Sequence, residues 1–212
     1  MNLLQHQPLN GWPLFYLVAV LTFAAIGVGL VITGISSPEA TVSMIRLSVQ
    51  LASPWIFLAF VARPLVQLYP GGFSKWLLRN RRYLGLSFAA GFAWQAVFIA
   101  VLLALYPDYY WRVLHDTADL VLRMLSYLLL LALTITSFYP VRRAMRPRSW
   151  RVLHLVGVWY FWAAIWVSYA GGLFSDDTRI IAIFYVIAGL IVLTARLAAY
   201  LKNRSIPEMK GT

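Results

Sequence analysis

Six apolar runs of about 20 residues divide the chain, each ending at charged or turn-forming residues. They run from Trp12 to Thr33, Val42 to Val61, Tyr83 to Leu105, Leu120 to Tyr139, Trp150 to Ala170 and Ile180 to Tyr200. A helix needs roughly 20 apolar residues to cross a hydrocarbon core of about 30 Å, so the pattern predicts six transmembrane helices. Helix breakers fall between the runs, at Pro38, Pro64, Pro70-Gly71-Gly72, Pro107, Pro140, Pro147 and Gly171-Gly172. Pro54 lies inside the second run, where its missing N–H predicts a kink and a carbonyl that a neighbouring helix must satisfy. No basic residue precedes the first run, and that run outlasts the apolar core of a signal peptide, so it reads as a retained span. With no internal repeat and no low-complexity linker, residues 1–212 read as a single all-α domain, a polytopic six-helix bundle.

Composition strengthens the membrane reading. Hydrophobic residues make up 61% of the chain and charged residues 12%, with a mean hydropathy of +0.73. Soluble domains carry about 25% charged residues to keep their surfaces solvated. The formal net charge of +11 points to a membrane surface rather than to nucleic acid, because the charges lie between apolar runs. With no cysteine in the chain, disulfides, thiolate metal sites and thiol nucleophiles are excluded.

The basic residues alternate from one connection to the next. Arg63, Lys75, Arg79, Arg81 and Arg82 flank the second connection, and Arg142, Arg143, Arg146, Arg148 and Arg151 crowd the fourth. Arg196, Lys202, Arg204 and Lys210 follow at the C-terminal end. The opposite side holds Arg46, Arg112, Arg123 and Arg179 together with Glu39, Asp108, Asp116, Asp119, Asp176 and Asp177. The positive-inside rule then predicts cytoplasmic termini in a bacterial-type inner membrane, with the two arginine-rich connections also cytoplasmic.

Ionisable residues inside a membrane are functional candidates by default. Arg46, Arg123 and Arg196 lie near span ends, where long side chains can snorkel to the headgroups, and Asp119 and Arg123 are spaced as an i,i+4 pair. His154, near the start of the fifth span, reads either as an interfacial histidine bonded to a carbonyl or headgroup or as a haem axial ligand. His6 lies in the N-terminal tail, and His115 in an external segment, 109–116, that reads as an interfacial helix with an aromatic belt. Gln95, mid-way along the third span, needs a partner across helices. No phosphate-binding glycine loop, nucleophile elbow or buried carboxylate pair is present, so no self-contained catalytic site is expected.

Three stretches carry a family resemblance: Arg63-Pro64-Leu65; Arg81-Arg82-Tyr83-Leu84-Gly85-Leu86; and Leu133-Thr134-Ile135-Thr136-Ser137 followed by Trp150-Arg151-Val152-Leu153-His154. Over about Val42 to Ala170 they resemble the ferric-reductase-like transmembrane domain, and most nearly the haem-binding membrane subunit of the bacterial methionine-sulfoxide reductase system. The resemblance implies a b-type haem protein that passes electrons across the membrane from quinol or a flavin reductase to a periplasmic partner. It implies one histidine ligand in the third span and two in the fifth. Here His154 matches the first fifth-span ligand, while Gln95 and Val167 occupy the other two positions. An amide is a weak iron ligand and valine is none, so the outer haem site is expected to be lost, leaving His154 as the candidate haem-iron ligand of an inner one.

Two functions follow. The chain is either an electron-transfer subunit holding haem b through His154 and working with a separate redox partner, or a haem-free relative that scaffolds a membrane or periplasmic partner. About a dozen residues follow the sixth span, too few for a flavin or nicotinamide domain, so any electron is expected to come from a partner or from quinol.

Overall fold

The computed structural model describes residues 9–114, 117–175 and 177–205, with backbone alone at 113–114, 117–119 and 205. Among these residues the chain is all helix: α1 (Trp12–Thr33), α2 (Pro38–Leu68), α3 (Gly72–Leu105), α4 (Pro107–Tyr109), α5 (Thr117–Thr136), α6 (Tyr139–Ala144), α7 (Pro147–Gly172) and α8 (Arg179–Ser205). Five helices are long and apolar enough to cross a membrane, namely α1, α2, α3, α7 and α8. The apolar run of α5, Leu120–Thr136, is shorter. The segment expected as an interfacial helix is the short α4 opening into a wide π turn at Tyr110–Leu114.

The prolines act differently from expectation. Pro38, Pro107, Pro140 and Pro147 stand in the first turns of α2, α4, α6 and α7, where a missing N–H costs no helical bond. Pro64 does not end a helix. Together with Pro54 it lies inside α2, which continues to Leu68. The helix also starts before its apolar run: Ser37 caps it by accepting from the Ala40 N–H at 3.1 Å. Likewise α3 begins eleven residues before the predicted Tyr83, at Gly72, where the Ser74 hydroxyl accepts from the Gly71 N–H at 2.9 Å. Hydropathy marks only the lipid-facing length of a helix, and capped polar turns extend beyond it.

α1 and α3 run parallel. The α1 and α3 N-termini meet where the Gly11 N–H donates to Asn80 Oδ1 at 2.8 Å and Trp76 Nε1 donates to the Leu9 carbonyl at 2.8 Å. Gly11 adopts φ +69°, a conformation suited to glycine. At the other end of the same pair, the Tyr106 hydroxyl donates to the Ile35 carbonyl at 3.0 Å, just past the end of α1. This places Lys75, Arg79, Arg81, Arg82 and Arg142–Arg151 at one end of the bundle, together with the C-terminal turns of α2 and α8.

α2 is the central helix. Ile56, Phe57 and Phe60 are buried in a cluster with Phe88 of α3, Leu130 of α5, Phe161, Trp162 and Ile165 of α7, and Tyr185 of α8. Small residues let the helices approach: a Cβ added at Gly91 would lie 2.9 Å from the Ala52 Cβ, and one at Gly189 would meet the Trp166 ring. Both α2 prolines leave a carbonyl without its helical donor, and α8 supplies each one. Tyr185 donates its hydroxyl to the Gln50 carbonyl at 2.7 Å, and Arg196 donates to the Phe60 carbonyl at 3.0 Å.

Candidate functional site

His154 sits on α7 two turns past Pro147, and α5 decides its hydrogen bonding. Thr136 donates its hydroxyl to the Ala132 carbonyl at 2.7 Å, as helical threonines do. Its oxygen is then free to accept, and His154 Nε2 lies 3.1 Å away. The network therefore assigns the proton to Nε2 and leaves the lone pair of the neutral ring on Nδ1. Trp150 stacks obliquely on the imidazole at 4.5 Å, and its own N–H donates to the Thr136 carbonyl at 3.0 Å. The C-terminus of α5 and the N-terminus of α7 are thus tied by two side chains of α7.

The same device recurs twice. Ser126 donates to the Leu122 carbonyl and takes the Tyr160 hydroxyl at 2.6 Å. Ser53 donates to the Val49 carbonyl and takes the Tyr169 hydroxyl at 3.1 Å. A helical hydroxyl bonded to its own preceding turn still offers a lone pair, and α7 carries the partner each time.

His154 lines a cavity of about 260 Å³ enclosed by α2, α3, α5, α6 and α7. Its lower wall is apolar, with Ile56, Leu86, Phe88, Leu130, Val158 and Phe161. Arg79, Arg81, Arg82 and Arg142 line the rest with Thr134, Ser137 and Trp150, and no carboxylate is among the described lining residues. Arg81 donates to the Ala59 carbonyl at 2.9 Å, which fastens α3 to α2. Arg142 lies over the Trp150 ring at 4.4 Å. Arg82 lies among the rings of Trp12, Tyr83 and Phe138 at 5.6, 5.6 and 5.8 Å, with its Nε buried and unpartnered.

Of the three ligand positions implied by the resemblance, His154 lines this cavity and Gln95 and Val167 do not. Gln95 faces α5, where Oε1 accepts from the Tyr127 hydroxyl at 3.1 Å. Val167 is 61% exposed. The cavity wall supplies a single histidine among the described residues, so a haem b here would find at most one imidazole ligand, the Nδ1 lone pair of His154, and no second histidine to complete a bis-imidazole pair. Among the described residues no group of three or more histidine, cysteine or carboxylate side chains could hold a metal ion. His6, His115, Asp116 and Asp176 lie outside the described residues, as does the side chain of Asp119.

Two arginines depart from simple snorkelling. Arg196 turns inward, over Phe60 at 4.3 Å and Trp159 at 4.8 Å. Arg123 reaches the Tyr110 hydroxyl at 3.4 Å, and Arg46 is exposed. Sequence reading missed the role of Arg196, although a signal existed. The carbonyls freed by Pro54 and Pro64 are ten residues apart on α2, and their donors Tyr185 and Arg196 are eleven apart on α8. At 1.5 Å per residue these separations are about 15 and 16.5 Å, close enough to pair along two helices. It also read Arg81-Arg82 as a topology signal and part of the family resemblance, and the Arg142–Arg151 connection as a topology signal or a dock for anionic lipid or a partner, without bringing them to one cavity.

Comparison with known proteins finds no family model, no curated protein and no solved structure that matches the chain.

Proposed function

We propose that the chain is a six-span inner-membrane protein of ferric-reductase-like architecture that works without haem, as a binding or assembly scaffold for a membrane or periplasmic partner. One observation carries this reading: the two polar side chains at the implied ligand positions are already joined to α5, His154 through Thr136 and Gln95 through Tyr127. A residue that ties helices together has a use independent of iron. α5 serves as the sixth span in this reading. Its antiparallel packing on α7 through Ser126–Tyr160 and Thr136–His154 supports that assignment. The arginine-rich end faces the cytoplasm.

The deciding experiment is an absorption spectrum of the full chain purified in detergent, oxidised and then reduced with dithionite. Far less than stoichiometric haem is expected, and any trace should be high-spin and vanish in His154→Ala. Stoichiometric low-spin haem would overturn the reading in favour of an electron-transfer subunit fed by quinol or a separate reductase. Topology is tested by reporter fusions: those after Gly72 and Arg148 should read cytoplasmic, and one after Asp116 periplasmic. A periplasmic result at either basic connection would reverse the orientation.

A further inference from the structure

The arginine-lined cavity has a chemistry that the scaffold reading leaves unused. Guanidinium groups are common at membrane surfaces, where headgroups and water satisfy them. Here Arg79, Arg81, Arg82 and Arg142 line one cavity, with no aspartate or glutamate among its described wall residues. Cations gathered at a membrane boundary repel one another unless an anion joins them. Two of the four already have acceptors, Arg79 at Asn10 Oδ1 and Arg81 at the Ala59 carbonyl, while Arg82 stands among three rings and Arg142 is exposed over Trp150, so the charges are held in place with no anion among them. The hydroxyls of Thr134 and Ser137 add polar groups at the same level, while Leu86, Phe88, Leu130 and Phe161 make the remaining wall apolar. An occupant that satisfies both parts has an anionic head and a hydrocarbon tail.

We propose that this cavity binds an anionic glycerophospholipid, with the phosphate at the arginines and an acyl chain against the apolar wall. Guanidinium recognises phosphate oxygens through paired N–H donors, and basic pockets between membrane helices hold anionic headgroups in this way. The proposal rests on the haem-free reading, since a porphyrin would compete with the chain for the apolar wall. The two are separable experimentally: a haem adduct shows in both colour and mass, a lipid adduct in mass alone.

The test is native mass spectrometry of the full chain in detergent, titrated in turn with cardiolipin, phosphatidylglycerol and phosphatidylcholine. The two anionic lipids should bind in preference to phosphatidylcholine. Arg82→Gln with Arg142→Gln should weaken that binding roughly thirty-fold, the change corresponding to about 1 kcal/mol per arginine. Arg142→Gln alone, at an exposed side chain of α6, serves if the pair fails to fold, and roughly five-fold is then expected. Arg148→Gln with Arg151→Gln removes two charges from the same end of the bundle without touching the cavity wall, and should leave binding unchanged. Equal loss in that control would overturn the proposal in favour of diffuse surface attraction. Equal binding of phosphatidylcholine would overturn it too, and full displacement of the lipid by inorganic phosphate would assign the arginines to a soluble phosphate compound instead.

Discussion

The middle of the bundle and its arginine-rich end treat polar groups in opposite ways. In the middle, polar groups are matched by partners on neighbouring helices: the Gln50 carbonyl to Tyr185, Ser53 to Tyr169, Gln95 to Tyr127 and Ser126 to Tyr160. Among the described residues Ser87, whose buried hydroxyl has no partner, is an exception. At the arginine-rich end the balance is reversed, with four guanidiniums around one cavity and a buried N–H left over. A low-dielectric interior enforces matching because unpaired groups cannot turn to water. A surplus of donors survives near the headgroups because phosphate and water are at hand. The polar groups of the middle therefore serve the fold, whereas at the arginine-rich end Arg79 and Arg81 are bonded to Asn10 and the Ala59 carbonyl and the exposed Arg142 is open to a ligand.

That contrast can be broken experimentally. The largest expected effect is steric: Gly91→Leu must push α2 and α3 apart at Ala52, costing about 3 kcal/mol in detergent-denaturation stability. Next comes Arg196→Met, which removes the donor to the Phe60 carbonyl and a cation over two rings. It should destabilise by about 2 kcal/mol. Part of that loss should disappear in a Pro64→Ala background, where the carbonyl regains its helical N–H. Tyr185→Phe should cost about 1 kcal/mol and be rescued similarly by Pro54→Ala. Equal costs with and without the prolines would show that the α8 donors do not answer the proline gaps.

The smaller effects sharpen the comparison. Tyr127→Phe should cost only about 0.6 kcal/mol, the average for such bonds between membrane helices, because Gln95 is half-buried. Gln95→His combined with Val167→His should remain colourless when supplied with haem, since Val167 does not face Gln95. A low-spin spectrum from that double variant would show that α7 can present position 167 to α3.

Much of the fold was legible in the chain. Tyr83 to Leu105 and Ile180 to Tyr200 were correctly placed as helical, because a long apolar run has only one way to satisfy its backbone in lipid. The polar first turns of α3 were not, since lipid does not dictate their conformation and capping does. Pro64 was misread as a terminator: sequence shows the lost N–H but not the Arg196 that compensates for it 132 residues later.

By itself, then, the sequence determined an all-helical membrane protein, its apolar helices, its asymmetric charge and the candidate positions His154, Gln95 and Val167. The helices and the charge asymmetry follow from composition and period, which are local, while the three positions are what the family resemblance implies. Tertiary structure alone decided that His154 bonds Thr136, that Gln95 meets Tyr127 and that Val167 is exposed. It also brought Arg82 and Arg142 to one cavity. Such pairings depend on the rotation and tilt of each helix about its own axis. Those are set by the close approaches at Gly91 and Gly189 and by the ring packing around Phe60, which join residues distant in the chain.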